Sequence, residues 1–452
     1  MTQWFHKGLK KGFNLTRRRR RRRKGGVPIF AGAQGCVFKP ALKCKDGRRD
    51  VNDGNISKLE ERESAEAEMR EYTQIKHYIG KIKNHERYFS MQTHLCEPDA
   101  LEPSDLVNFD DVCVNLERVN ISAANVNANL GKLRMINMPD LGVDLKQWMG
   151  QTPLNPDRIR QLNDHISTLM IRAVGPMNRL GVIHNDLKSE NVMIDRTGNA
   201  RIIDWGLAGI TTPQQVIPVR HFINNPVTYN RPFSTMVISP KTCELYDSVV
   251  LKSATASASS PTVEQLKHFT RAVYKEYIAA YDDNGYKYFQ YIFKSMFGSN
   301  DEMLLDAVAT YNAEILHHFT GQKFRWREYF STVYRYNTDV WGLLSAFYSL
   351  FMMPRKSFAM SDAAHADMLH RYRTLFRTVV FANGHERMNV AHIVQQLRQI
   401  SDAIRVHPQK RTVRFNLNPN QKLHRNTVKR IATPYPHNPH NPHNPIKINM
   451  TV

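Results

Sequence analysis

The stretch VIHNDLKSENVMIDRTGNARIIDWG, residues 182–206, constrains the fold more than any other part of the chain. Val192-Met193-Ile194 and Ala200-Arg201-Ile202-Ile203 are short β-prone runs, and Asp195-Arg196-Thr197-Gly198-Asn199 between them is rich in turn formers. The spacing predicts a hairpin. Asn191 enters its first strand and Asp204 leaves its second, so antiparallel pairing returns a carboxamide and a carboxylate to the same end. Two oxygens there can converge on a hard cation. Immediately upstream, the polar loop His184-Asn185-Asp186-Leu187-Lys188 adds another carboxylate and an ammonium group.

These groups at this spacing suit phosphoryl transfer from a metal-bound nucleotide. That chemistry needs one carboxylate to orient a hydroxyl, a cation beside the moving phosphate, and an amide plus a second carboxylate to hold the metal. The segment resembles the catalytic loop and metal motif of the eukaryotic-type protein kinases, H-R-D-L-x-x-x-N followed by D-F-G. Here the pattern reads HNDLKSEN and then Asp204-Trp205-Gly206. The resemblance implies that Asp186 is the catalytic base, that Lys188 steadies the γ-phosphate of ATP, and that Asn191 and Asp204 bind Mg²⁺, with Mn²⁺ as a substitute. Lys188, two residues after the base, is the serine/threonine-type choice. Asn185 replaces the arginine that in many kinases pairs with a phosphorylated activation loop, and Trp205 replaces phenylalanine.

Upstream, Phe30-x-Gly32-x-x-Gly35-x-Val37 stands against the family's G-x-G-x-x-G-x-V. The first glycine is lost, but Gly32 and Gly35 leave the backbone able to approach phosphates without a Cβ in the way. The phosphate-binding lysine is assigned to Lys58, which Ile56 and Leu59 flank in a strand-like run. Lys39, Lys43 and Lys45 sit in a Pro- and Gly-containing stretch and read as solvated. The following segment, EERESAEAEMREYTQIKHYI, has helical spacing and strong helix formers. Its acid partner for Lys58 is assigned to Glu71, with Glu68 one turn earlier as the alternative. Leu133 to Met138 reads as a strand resembling the kinase hinge, with Met138 at the adenine. Asp144 is either a ribose contact or the N-cap of the helix LKQWM. Residues 156–180 read as a long amphipathic helix, and Asn337-Thr338-Asp339-Val340-Trp341-Gly342 resembles the start of the family's central buried helix, whose aspartate anchors the catalytic loop.

The resemblance implies an α+β, two-lobed kinase fold: a small β-rich N-lobe over 27–138 and a larger helical C-lobe over 139–404. Between Asp204 and Asp339 the chain is longer than such a lobe needs, which predicts a helical insertion at about 211–330 with a low-complexity linker at 252–262. The aromatics of FTRAVYKEYIAAY and KYFQYIFKSMF inside it read as core. The loop FAGAQGCVFKP with Cys44, the long strand connection and the run Asn230-Arg231-Pro232-Phe233-Ser234 together resemble the divergent kinases of large DNA viruses.

The formal net charge is +22, but it is concentrated at the ends. Residues 1–24 carry eleven Lys/Arg and residues 405–452 carry nine, neither with any acid, which leaves a nearly neutral body. An arm over 1–26 and a Pro/His/Asn-rich tail over 405–452 therefore read as disordered and suited to nucleic acid or another anionic surface by counterion release. Five cysteines with no C-x-x-C pair predict free thiols in a reducing compartment. The sequence lacks a membrane-span pattern and a signal-peptide core. It reads as intracellular, in the cytoplasm or nucleus of a host or packaged in a particle if viral, with proteins as substrates. A pseudokinase scaffold, a small-molecule kinase of the same fold and a basic nucleic-acid-binding structural protein are the competing readings.

Overall fold

The computed structural model describes residues 26–31, 35–46, 54–91, 94–211, 228–252, 260–279, 290–296 and 301–405. Gly32, residues 253–259 of the low-complexity run, the arm up to residue 25 and the tail from residue 406 lie outside these residues. The described chain divides into two compact units. One comprises residues 26–70 and 94–140, and the other comprises 71–91 and 141–405. Residues 71–91 thus count with the second unit, unlike an uninterrupted domain over 27–138.

The first unit is built on a five-stranded antiparallel sheet of order β1-β2-β3-β5-β4, with β1 Val27–Ala31, β2 Gly35–Lys39, β3 Asn55–Glu61, β4 His94–Cys96 and β5 Leu133–Pro139. β3 extends through Glu61, so helix α1 starts at Arg62 and ends at Ile79; Glu60 and Glu61, read above as helical, belong to the strand. Side chains alternate across the sheet. Cys36, Phe38, Leu59, Cys96 and Met135 face one way and join a core cluster with Phe109, Leu116, Ile121 and Val126. The last four come from a run of short helical turns between β4 and β5. Val37 and Lys58 are cross-strand partners on the opposite face.

Four of the chain's five cysteines lie in this core and are paired, which corrects the expectation of free thiols. Cys36 bonds Cys113 and Cys44 bonds Cys96, and Cys243 is the free one. The pairs are 77 and 52 residues apart in sequence, so no local spacing announces them. They meet because the segment between β4 and β5 folds across one face of the sheet and because Cys44 forms a bridge beside β4, at Pro98.

The second unit is mainly helical. Asn155 caps the helix Pro156–Leu169 by accepting the Arg158 amide at 2.9 Å, and Pro156 occupies its first turn, where a missing N–H costs nothing. The helix buries Ile159, Leu162, Ile166 and Leu169 and runs through a wider turn, Met170–Val174, into Gly175–Arg179. Its Asn163 donates to Ser401 Oγ at 2.9 Å, tying it to the helix Val390–Arg405. The helix Arg335–Leu344 is buried at every position from Asn337 to Leu344. In the predicted insertion, the helices Val263–Ala279 and Asp301–Phe319 pack together, and Thr270 donates to Ala309 O at 3.0 Å. Phe269, Tyr274 and Phe293 are buried as expected of core aromatics, whereas Tyr291 is exposed. No helix among the described residues is long and apolar enough to cross a membrane.

The two disulfides restrain long loops in the unfolded chain, an effect of about 2–4 kcal/mol each. Chemical reduction is expected to move the first unit's urea midpoint to lower concentration, and the Cys36→Ser/Cys113→Ser variant should reproduce part of that shift without reductant.

Candidate active site

In the second unit, β6 Val143–Asp144, β7 Val192–Ile194 and β8 Ala200–Ile202 form a small sheet in which β7 pairs antiparallel with β8, in register Val192 to Ile202, and with β6. Gly198, at φ +81°, supplies the turn's left-handed residue. The Ile203 amide donates to Asn191 O at 3.0 Å, so Asn191 and the residue before Asp204 meet at one end of the hairpin.

The loop before β7 is held by Asp339. This fully buried carboxylate accepts from the backbone amides of His184 (3.0 Å) and Asn185 (2.8 Å) and from Asn178 Nδ2 (2.9 Å). Burial pushes its carboxyl upward, and the donors and the neighbouring His184 oppose that shift. Gly342 lets the same helix approach closely, since a Cβ there would lie 2.6 Å from Leu187 O. The buried His184 ring contacts Ile203 O through Nε2 at 2.9 Å and lies 4.9 Å from the Trp205 ring, so Trp205 is a packing residue.

Asp186 is surrounded by donors. Its Oδ2 accepts from Lys188 Nζ at 2.7 Å and Asn191 Nδ2 at 3.0 Å, and its Oδ1 accepts from Asn230 Nδ2 at 2.9 Å. Asn191 Nδ2 also donates to Asp186 O at 2.8 Å, which leaves Oδ1 as the atom Asn191 can offer a cation. Asp204 is exposed at φ +64°, and its Oδ1 accepts a long 3.4 Å bond from the Gly206 amide. An amide oxygen and an open carboxylate at one end of a hairpin are hard ligands of the kind Mg²⁺ takes. Asn230 is absent from the site as read in the sequence. It stands 44 residues beyond Asp186, and no local pattern links the two.

In the first unit, the Lys58 ammonium pairs with Glu68 Oε2 at 2.7 Å and with Glu60. This corrects the assignment of Glu71. Glu71 is exposed and lies a helical turn further on, about 4.5 Å along the axis, beyond the turn that presents Glu68 to the lysine. Glu60 was not foreseen as a partner, although its place two residues after Lys58 puts it on the same face of β3. Gly35 sits opposite Glu60, and a Cβ there would meet Glu60 Cγ at 2.4 Å and Leu59 O at 2.6 Å. The glycine is therefore required by the close passage of β3, whatever its relation to a phosphate. Val37 faces Lys58 across the strands, and Met138 is half-buried near the end of β5. Lys39, Lys43 and Lys45 form ion pairs at the surface, with Asp140, Glu102 and Glu97. In the second unit Asp144 is the N-cap of the helix Leu145–Gln151, accepting the Gln147 amide at 2.7 Å.

Residues 142–229 match the family model described as protein kinase domain. The chain is similar to the serine/threonine-protein kinase ppk35 of Schizosaccharomyces pombe, with 37% identity over 67 residues, 15% of this chain and 11% of that protein. It is similar to the mitogen-activated protein kinase HOG1 of Wallemia muriae, with 35% identity over 74 residues, 16% of this chain and 25% of that protein. Similarity to the human hormonally up-regulated neu tumor-associated kinase is 38% over 74 residues, 16% of this chain and 8% of that one. The chain spans a quarter or less of the length of these relatives. With a β-sheet N-terminal region and a helical C-terminal part, it has an α+β, kinase-like fold.

Burial raises the Glu60 carboxyl above its ordinary value of 4.5, against the pull of Lys58. Between pH 4.5 and about 7 the unfolded chain has lost this proton while the folded one largely retains it, so stability falls across that range and levels off above it. Glu60→Gln is therefore expected to melt with wild type near pH 4.5 and above it near pH 8, by an amount on the order of 1–3 kcal/mol. Melting temperature against pH for the two proteins checks this.

Proposed function

We propose that the chain is a protein kinase that transfers the γ-phosphate of ATP to serine or threonine hydroxyls of protein substrates. The observation that carries the reading is the Asp186 carboxylate, fixed by Lys188, Asn191 and Asn230 on a loop whose backbone is bonded to a buried aspartate. The kinase-domain match over 142–229 and the kinase-named relatives support protein kinase activity.

In this reading Asp186 accepts a hydrogen bond from the substrate hydroxyl and aims its oxygen at phosphorus. Lys188, whose ammonium lies 2.7 Å from Asp186 Oδ2, neutralises charge on the transferred group. Lys58, held extended by Glu68, binds the non-transferred phosphates. Val37 and Met138 offer apolar contact to the adenine. Asn191 Oδ1 and the Asp204 carboxylate hold Mg²⁺, which when bound offsets phosphate charge. The choice of serine/threonine rests on Lys188, two residues after the base.

The run Asn230 to Ser234 and the loop around Gly35 support kinship with the kinases of large DNA viruses, though the relatives named above are eukaryotic proteins. The basic arms would recruit anionic partners without taking part in transfer.

Asp186→Asn is expected to lower phosphate transfer to casein by about 10²–10⁴-fold while ATP affinity stays near wild type. Asp204→Ala should instead weaken Mg-ATP binding, and Glu68→Ala should raise the KM for ATP where Glu71→Ala does not. Steady-state kinetics with labelled ATP, paired with nucleotide titration, separates these effects.

A further inference from the structure

We propose that Asn230 and Arg231 form a clamp that positions Asp186 from outside its own loop, with Asn230 as the positioning residue for the carboxylate. The proposal rests on the reading of Asp186 as the base. Asn230 is 5% exposed, and its Nδ2 donates both to Asp186 Oδ1 (2.9 Å) and to Leu187 O (3.2 Å). Arg231, 3% exposed, donates from Nε to Asn185 O at 3.0 Å. Two adjacent side chains thus bond the residue before the base, the base itself and the residue after it.

The clamp has a rigid mount. The carbonyl of Tyr229 accepts the Trp341 indole N–H at 3.1 Å. Phe233 lies among Trp341 (4.9 Å), Phe381 (5.2 Å), Phe293 (5.3 Å) and Tyr311 (5.6 Å), in tilted and edge-on contacts that favour one geometry. Ser234 accepts from Tyr329 Oη at 2.8 Å, and Thr235 and Tyr334 share a hydroxyl bond of 2.8 Å. Residues 229–235 therefore cannot drift without breaking buried contacts, and the Asn230 amide is held where it is.

The consequence is geometric. A carboxylate has a broad torsional minimum about its last bond, so donors on Oδ2 alone leave its plane poorly fixed. Lys188 and Asn191 both bind Oδ2, and Asn230 is the donor on Oδ1. Bonded on both oxygens, the plane is set; Oδ2 already accepts two bonds, whereas Oδ1 accepts one and keeps a second lone pair. Oδ1 can then receive a hydroxyl while still bonded to Asn230. A base held in this way needs no reorganisation when substrate arrives.

The test uses the full-length protein with Mg-ATP and casein. Asn230→Leu keeps the size and branching but removes the donor without adding a charge, Asn230→Ala removes both, and Asn230→Thr restores one hydroxyl donor. Loss of a buried bond to a charged group predicts that kcat falls about ten- to hundredfold for Asn230→Leu and Asn230→Ala. The KM for ATP should stay within about twofold, and Asn230→Thr should recover part of kcat. Wild-type kcat in Asn230→Leu overturns the clamp, as does a fall in kcat accompanied by matching losses in ATP binding and melting temperature across all three variants. Absence of transfer by the wild type itself overturns the kinase reading and this inference with it, so the two failures are distinguishable.

Discussion

The second unit depends on the Asp339 carboxylate being buried and bonded to the backbone of residues 184 and 185. An ionised carboxylate without water is costly, and this one is tolerable because Asn178 and two amides donate to it. The donors can converge only if the chain turns sharply after His184. That turn is visible in Asn185, which stands at φ +63°, where asparagine is among the few non-glycine residues at ease. The asparagine at this position is thus suited to the backbone it must adopt. Gly342 completes the arrangement by letting the helix that carries Asp339 lie against Leu187.

The first unit solves a related problem differently. Lys58 is largely withdrawn from solvent and is balanced by two carboxylates, one of them fully buried. Burial penalises each charge separately, most of all that of Glu60, and the Lys58 ammonium offsets part of that cost. Its stiffness comes from the opposite face of the sheet, where the core holding both disulfides fixes β2 and β3. The charge cluster and the cross-linked core are the two faces of one sheet, linked by the pleat that sends Val37 and Lys58 one way and Cys36 and Leu59 the other.

Legibility in the sequence followed the range of the interactions. The hairpin at 192–202 was readable because turn chemistry and β propensity are local, and Lys58 was readable because apolar neighbours mark a strand. Glu68 and Glu71 could not be separated, since the choice depends on where β3 ends and α1 begins, two residues later than helical propensity suggests. The disulfides and the turns between β4 and β5 were illegible because partners 52 and 77 residues apart leave no periodic trace. Gly35 shows a subtler limit. Its glycine suited a phosphate-binding loop, yet the atoms that exclude a Cβ belong to the neighbouring strand.

Asn230 lies at the far end of that scale. The run from Asn230 to Ser234 was conspicuous as a sequence, but its role emerges only when the aromatic cluster around Phe233 and the indole of Trp341 are in place. Trp341 sits two residues after Asp339 on one buried helix. That helix therefore acts on the Asp186 loop twice, directly through the Asp339 carboxylate and indirectly through the segment that presents Asn230. Two routes from one rigid element to one carboxylate make the placement of Asp186 a property of the unit's core, not of the loop that carries it.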